Sequence, residues 1–174
     1  MINVGSLREE DRAAWEALAR GYKAFYRTAV PDEGYEETWK RLRAGTEFHG
    51  IGAWSNGKLV GIAHYLFHPT FWMEDSCYLQ DLFVDETARG RGVARMLIEN
   101  VAEASRERGA SRFYWTTQED NSTARALYDK VASFKGFIRY DHPLARDPGQ
   151  LPPGRKCCVS ATCSPHVCRS GGTS

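Results

Sequence analysis

Asp81-Leu82-Phe83-Val84-Asp85-Glu86-Thr87-Ala88-Arg89-Gly90-Arg91-Gly92-Val93-Ala94-Arg95-Met96-Leu97-Ile98 reads as a strand that runs into a glycine turn and on into a helix. Leu82-Phe83-Val84 suits a strand, the two glycines interrupt it, and Ala94, Leu97, Ile98, Val101 and Ala102 then recur on one helical stripe. The first N–H groups of a helix have no partner within it, and the helix dipole places partial positive charge at that end. A phosphate or pyrophosphate is the natural ligand of such a start. Gly90 and Gly92 let backbone approach closely, while Arg89, Arg91 and Arg95 put three arginines into seven residues. Two other phosphate loops are excluded: no Gly-x-x-x-x-Gly-Lys-Ser/Thr occurs, and position 95 is Arg where Gly-x-Gly-x-x-Gly needs its third glycine.

Outward from this stretch, Cys77 to Val84 is predicted as the full strand, with Gln80 and Asp81 adjacent and therefore on opposite faces. Before it, Phe48–Trp54 and Leu59–Phe67 are apolar runs joined through Ser55-Asn56-Gly57, and Asn-Gly there predicts a β-hairpin. Ile2 and Val4 suggest a first strand; Ser6 is expected to cap a helix carrying Ala13, Trp15, Leu18 and Tyr22; and residues 32–43 place acids first and bases last, as a helix dipole favours. Gly109 ends the helix after the glycine turn, Phe113–Thr116 is a short strand, and Asn121 or Ser122 caps a helix with Ala124, Leu127, Tyr128 and Val131. Gly136–Tyr140 is predicted as a final strand. Hairpin strands first and alternating strand and helix afterwards give an α/β or α+β class, a mixed and largely antiparallel sheet flanked by helices.

The chain of 174 residues suits one domain. Its 23 Lys and Arg against 22 Asp and Glu leave +1, which lacks the footprint of a nucleic-acid binder. No stretch reaches the roughly 20 apolar residues of a membrane helix, and the N-terminus carries acids where a signal peptide has an apolar run, so a cytoplasmic location is expected. Beyond Pro143 the composition turns to Pro, Gly, Ser, Arg and Cys. A domain over residues 1–144 and a tail over 145–174 without stable structure are therefore expected. Cys157, Cys158, Cys163 and Cys168 with His166 lack Cys-x-x-Cys spacing, and no metal is expected.

Arg89-Gly90-Arg91-Gly92-Val93-Ala94 fits Arg/Gln-x-x-Gly-x-Gly/Ala, and Asn121-Ser122-Thr123-Ala124-Arg125-Ala126-Leu127-Tyr128 fits Asn-x-x-Ala-x-x-Leu-Tyr. Together they resemble the acetyl-CoA pyrophosphate motif and the following helix of the GNAT superfamily of N-acetyltransferases, over about residues 1–142. The strand Tyr78-Leu79-Gln80-Asp81-Leu82-Phe83-Val84 is most similar to that of diamine (spermidine/spermine-type) N-acetyltransferases. It departs from them at Gln80, where that subgroup has a glutamate thought to deprotonate the amine.

The resemblance implies acetyl-CoA as cosubstrate, held by backbone of Leu82, Phe83 and Val84, by residues 89–95 and by Asn121. It implies a small primary amine as acceptor and direct attack in a ternary complex. An ammonium with a reference pKa of about 10.4 must first lose a proton, a task open to Asp81, to Glu74 or to water beside Gln80. Glu74 and Asp75 are candidate amine-binding acids, and Tyr128 is the candidate acid for the departing thiolate. A core role is open to Tyr128, as it is to His64, His68, Trp54, Trp72 and Trp115. A homodimer is expected from the resemblance. Two other functions fit the same residues: acetylation of a protein or peptide amine, and acetyl-CoA sensing without turnover, which Gln80 suggests.

Overall fold

The computed structural model describes residues 1–142. Met1–Phe134 forms one compact unit. In chain order it holds β1 (Ile2–Ser6), α1 (Arg12–Phe25), α2 (Asp32–Ala44), β2 (Phe48–Ser55), β3 (Lys58–His68), β4 (Ser76–Val84), α3 (Val93–Glu107), β5 (Arg112–Tyr114) and α4 (Ser122–Val131). The sheet runs in the order β1-β2-β3-β4-β5, antiparallel up to β4, with β5 parallel to β4. The mixed, largely antiparallel sheet expected from sequence is what forms.

The β2–β3 turn shows why Asn-Gly was informative. Asn56 and Gly57 take φ of 51° and 79°, the paired left-handed conformations that close a two-residue hairpin. Alternation along β3, reset by a bulge at Val60, then loads both faces of the sheet. One face packs Val60, Ala63 and Tyr65 under Val93, Leu97, Ile98 and Val101 of α3. The other packs Leu59 and Ile62 under Trp15, Leu18 and Ala19 of α1 and Trp39 of α2.

Two sequence expectations are corrected. Ser6 ends β1 and caps nothing; α1 instead follows a 3₁₀ turn at Glu9–Asp11, where Asp11 accepts the Arg8 N–H at 2.8 Å and pairs with its guanidinium at 3.1 Å. Residues 136–140 form no strand, and Phe137, Ile138 and Tyr140 are exposed. Their side chains favour extended backbone, but a strand exists only through a ladder to a neighbour, which propensity alone does not supply. The remaining differences lie at element ends: β5 stops at Tyr114, short of the expected Thr116. No helix among the described residues is long and apolar enough to cross a membrane. The tail cysteines and His166 lie outside the described residues, and among those described no three His, Cys, Asp or Glu side chains form a metal-sized group.

Candidate active site

β5 pairs with β4 only from Ser76↔Arg112 to Tyr78↔Tyr114, and β4 continues to Val84 without it. Leu79 to Val84 therefore keep β3 on one edge and have lost their neighbour on the other. Such a half-strand offers N–H and C=O groups to an extended ligand. Its start is marked by a bulge: His64 faces Asp81 while Tyr65 faces Leu79, so Gln80 is the extra residue and is exposed. Asp81 and Phe83 then turn to the α1 face, and Leu82 and Val84 to the α3 face.

β4 delivers the chain to the glycine turn. Gly90 and Gly92 have φ of 73° and 79°, and a Cβ on either would meet nothing within 4 Å. Their need for glycine is thus conformational, and the space before the helix is open. The first bond closing α3 runs from the Met96 N–H to the Gly92 carbonyl at 3.0 Å, so the N–H groups of Val93, Ala94 and Arg95 stand at the open end of the helix. Val93 is buried and Ala94 packs on the core, so their part in binding is limited to backbone. The arginines are partly engaged: Arg89 with Glu86 at 3.1 Å, Arg91 with the Ser55 hydroxyl at 3.1 Å, and Arg95 with Glu99 at 2.8 Å. The Arg89 and Arg95 pairs join exposed side chains that an oligoanion can displace, whereas Arg91 reaches the buried Ser55.

On the α1 side a polar cluster is built from three elements. His64 Nδ1 lies 2.9 Å from Asp81 Oδ2, and the Trp15 indole N–H donates to His64 Nε2 at 2.8 Å. The Tyr22 hydroxyl faces the Asp81 carboxylate from α1. Burial pushes Asp81 up, but the hydrogen bond from His64, the charge of Lys23 and the Tyr22 hydroxyl outweigh it and hold the carboxyl below its ordinary value. Tyr22 stacks edge-on against Tyr26 at 5.0 Å and Phe83 at 6.3 Å. Burial and the facing carboxylate push its phenol well up.

Tyr128 comes to this cluster on α4. Asn121 caps the helix, accepting the Ala124 N–H at 3.2 Å, and Tyr128 packs against Trp115 at 5.3 Å. Burial, with Tyr26 and its hydroxyl nearby, pushes the Tyr128 phenol to about 12. It is therefore a protonated donor across the physiological range.

Other candidates fall elsewhere. Glu74 and Asp75 precede β4, six residues or more from Asp81, which at about 3.3 Å per residue is roughly 20 Å along the strand. Their carbonyls accept from Ser111 and fix the entry to β5. His68 bonds the Tyr114 hydroxyl at 3.0 Å, Trp54 donates to Asp11, and Trp72 is exposed. A surface groove of about 660 Å³ between α1 and α2 is lined by paired charges such as Arg12, Glu16, Glu36 and Lys40, and no member of the polar cluster lines it. Tyr22 and Tyr26 were missed as site residues. Their signal was two phenols four apart at the end of an apolar stripe, where an aromatic with a polar tip is wanted at a site's edge.

Known proteins resemble this chain in sequence and in fold. The pattern of the Acetyltransferase (GNAT) family matches residues 15–134. The D-amino-acid N-acetyltransferase HPA3 of Saccharomyces cerevisiae is 38% identical over 135 residues, covering 75% of this chain and 84% of that protein. A thialysine N-epsilon-acetyltransferase of Caenorhabditis elegans is 30% identical over 97 residues, 54% of this chain and 61% of that one. In fold, AAC(6')-Iy in complex with a bisubstrate analog superposes with a TM-score of 0.74 at 15% identity, over 83% of this chain and 99% of that one. With strand, glycine turn and tyrosine helix in this order and the family pattern spanning them, the chain belongs to the GNAT family of acetyltransferases.

Proposed function

We propose that the chain transfers acetyl from acetyl-CoA to the primary amine of a small molecule, by direct attack in a ternary complex. The observation that carries this is that Tyr22 interacts with both Asp81 and Tyr128, a held carboxylate and a held phenol, while β5 leaves half of β4 unpaired. The residues fit acetyl-CoA. The N–H groups of Val93, Ala94 and Arg95 with Arg89, Arg91 and Arg95 suit the pyrophosphate, and the free edge of Leu82 to Val84 suits the extended amide arm. The cosubstrate supplies an acetyl thioester; this chain supplies orientation and proton handling. Asp81 attracts and orients the ammonium while its proton passes outward to water at the exposed Gln80 amide. Backbone N–H groups near the bulge face the developing oxyanion. Tyr128 donates its O–H to the sulfur as negative charge grows there.

The cluster favours an amino-acid-like acceptor over a polyamine. Lys23 acts on Asp81, so the pair approaches neutrality, which suits a zwitterion and disfavours a second positive charge. The relatives acting on D-amino acids and thialysine support the same choice. We also propose a cytoplasmic homodimer in which residues 1–144 suffice for catalysis; a single-chain mass by sedimentation at micromolar concentration overturns the dimer.

The test is mass spectrometry of products from acetyl-CoA with amino acids, polyamines, aminoglycosides and a histone-like peptide. Acetylation of amino-acid amines above the others is expected. Preference for the peptide favours the protein-acetylating alternative, and acetyl-CoA binding without any product favours a sensor.

A further inference from the structure

Trp15 and His64 do something that the transfer reaction does not by itself require. An indole N–H can only donate, so at 2.8 Å it makes His64 Nε2 the lone-pair nitrogen. The proton of the neutral ring is then on Nδ1, which donates to Asp81 Oδ2 at 2.9 Å. Trp15 is 1% exposed and His64 9%, and both ring nitrogens of His64 already hold protein partners. A proton on Nε2 would set two donors face to face in the core. The ring is consequently a dead end for protons.

We propose that Trp15 and His64 are positioning residues for Asp81: the indole locks the imidazole in its Nδ1–H form, and the imidazole holds the carboxylate ionised and aimed at the acceptor amine. This rests on the reading of Asp81 as the amine's partner. It accounts for a site that carries Gln80, which cannot titrate, beside the bulge. The groups facing the pair are Asp81 from β4, Tyr22 and Lys23 of α1 acting on Asp81, and Arg12, whose guanidinium lies 5.3 Å from the Trp15 ring centroid. From β2 the residue opposite His64 is Gly50, which brings no charge.

The test combines nitrogen NMR of His64 in the full-length chain with amine kinetics of four variants. The wild-type ring is expected in the Nδ1–H form. An Nε2–H ring overturns the proposal with no variant needed. His64→Leu is expected to lower kcat/KM for the amine roughly tenfold while KM for acetyl-CoA stays within about twofold. His64→Asn, whose amide N–H can replace Nδ1–H, recovers most of that loss. Trp15→Phe frees Nε2 and is expected to populate the Nε2–H tautomer in the nitrogen spectrum. Equal loss in His64→Leu and His64→Asn, or a Trp15→Phe ring that stays wholly Nδ1–H, overturns the positioning role. Asp81→Asn separates the two readings. If it is impaired while His64→Leu is not, only the positioning role fails; if Asp81→Asn keeps full turnover, the reading of Asp81 fails and takes the positioning role with it.

Discussion

Tyr128 is useful because it is hard to ionise. A phenol at about 12 remains a donor wherever the enzyme works, so in the proposed role Tyr128→Phe removes one hydrogen bond to the departing sulfur and little else. Steady-state kinetics should show kcat down about 10²-fold with KM for acetyl-CoA nearly unchanged. Any fall of kcat below about pH 10 belongs to another group and should persist in the variant. Asp81 behaves in the opposite sense. Its folded value lies below its unfolded value of about 3.9, so the stability it contributes is complete above that pH and is lost as pH falls through the folded value. Asp81→Asn should lack this share, and urea midpoints measured from about pH 2 to 6 should depend less steeply on pH than in wild type. Of these residues, Tyr128 and Asp81 stood out from sequence spacing and the resemblance. His64 and Trp15 did not, since a histidine on one hairpin and a tryptophan on a distant helix give no sign that they touch.

At the level of elements, two glycines do different work. Gly92 is needed for its φ of 79°, which starts α3 with its N–H groups open. Gly92→Ala should cost about 1–2 kcal/mol by thermal melting and weaken acetyl-CoA binding by calorimetry, because the strained residue sits at the proposed anion site. Gly21 is needed for its missing side chain: a Cβ there would come within 2.9 Å of the Phe83 ring. That contact lets α1 lie close to β4 and carry Tyr22 to Asp81. Gly21→Ala should destabilise by about 1–3 kcal/mol, and Phe83→Leu in the same chain should restore part of the melting temperature. The glycine turn could be read from sequence because its motif is local. The pairing of Gly21 with Phe83 could not, because 62 positions separate residues that meet only when helix and sheet pack.

For the molecule as a whole, the cluster, the glycine turn and the family match all lie before residue 135. A chain ending at residue 142 should therefore retain acetyl transfer within about twofold, measured as CoA-dependent product by mass spectrometry. Local patterns determined much of this protein: the hairpin through Asn56-Gly57, the strand, glycine turn and helix from Asp81 to Ile98, and the cap at Asn121 each depend on neighbours a few positions away. Ser6 failed as a cap because Arg8 and Asp11 build a competing turn, and residues 136–140 failed as a strand because β propensity needs a partner edge. The tertiary structure alone decided where β5 leaves β4, that Gln80 is bulged outward, and that α1 brings Trp15 and Tyr22 to His64 and Asp81. Register, splay and the approach of a helix to a sheet are set by how whole faces pack, and that energy is shared among residues far apart in the chain.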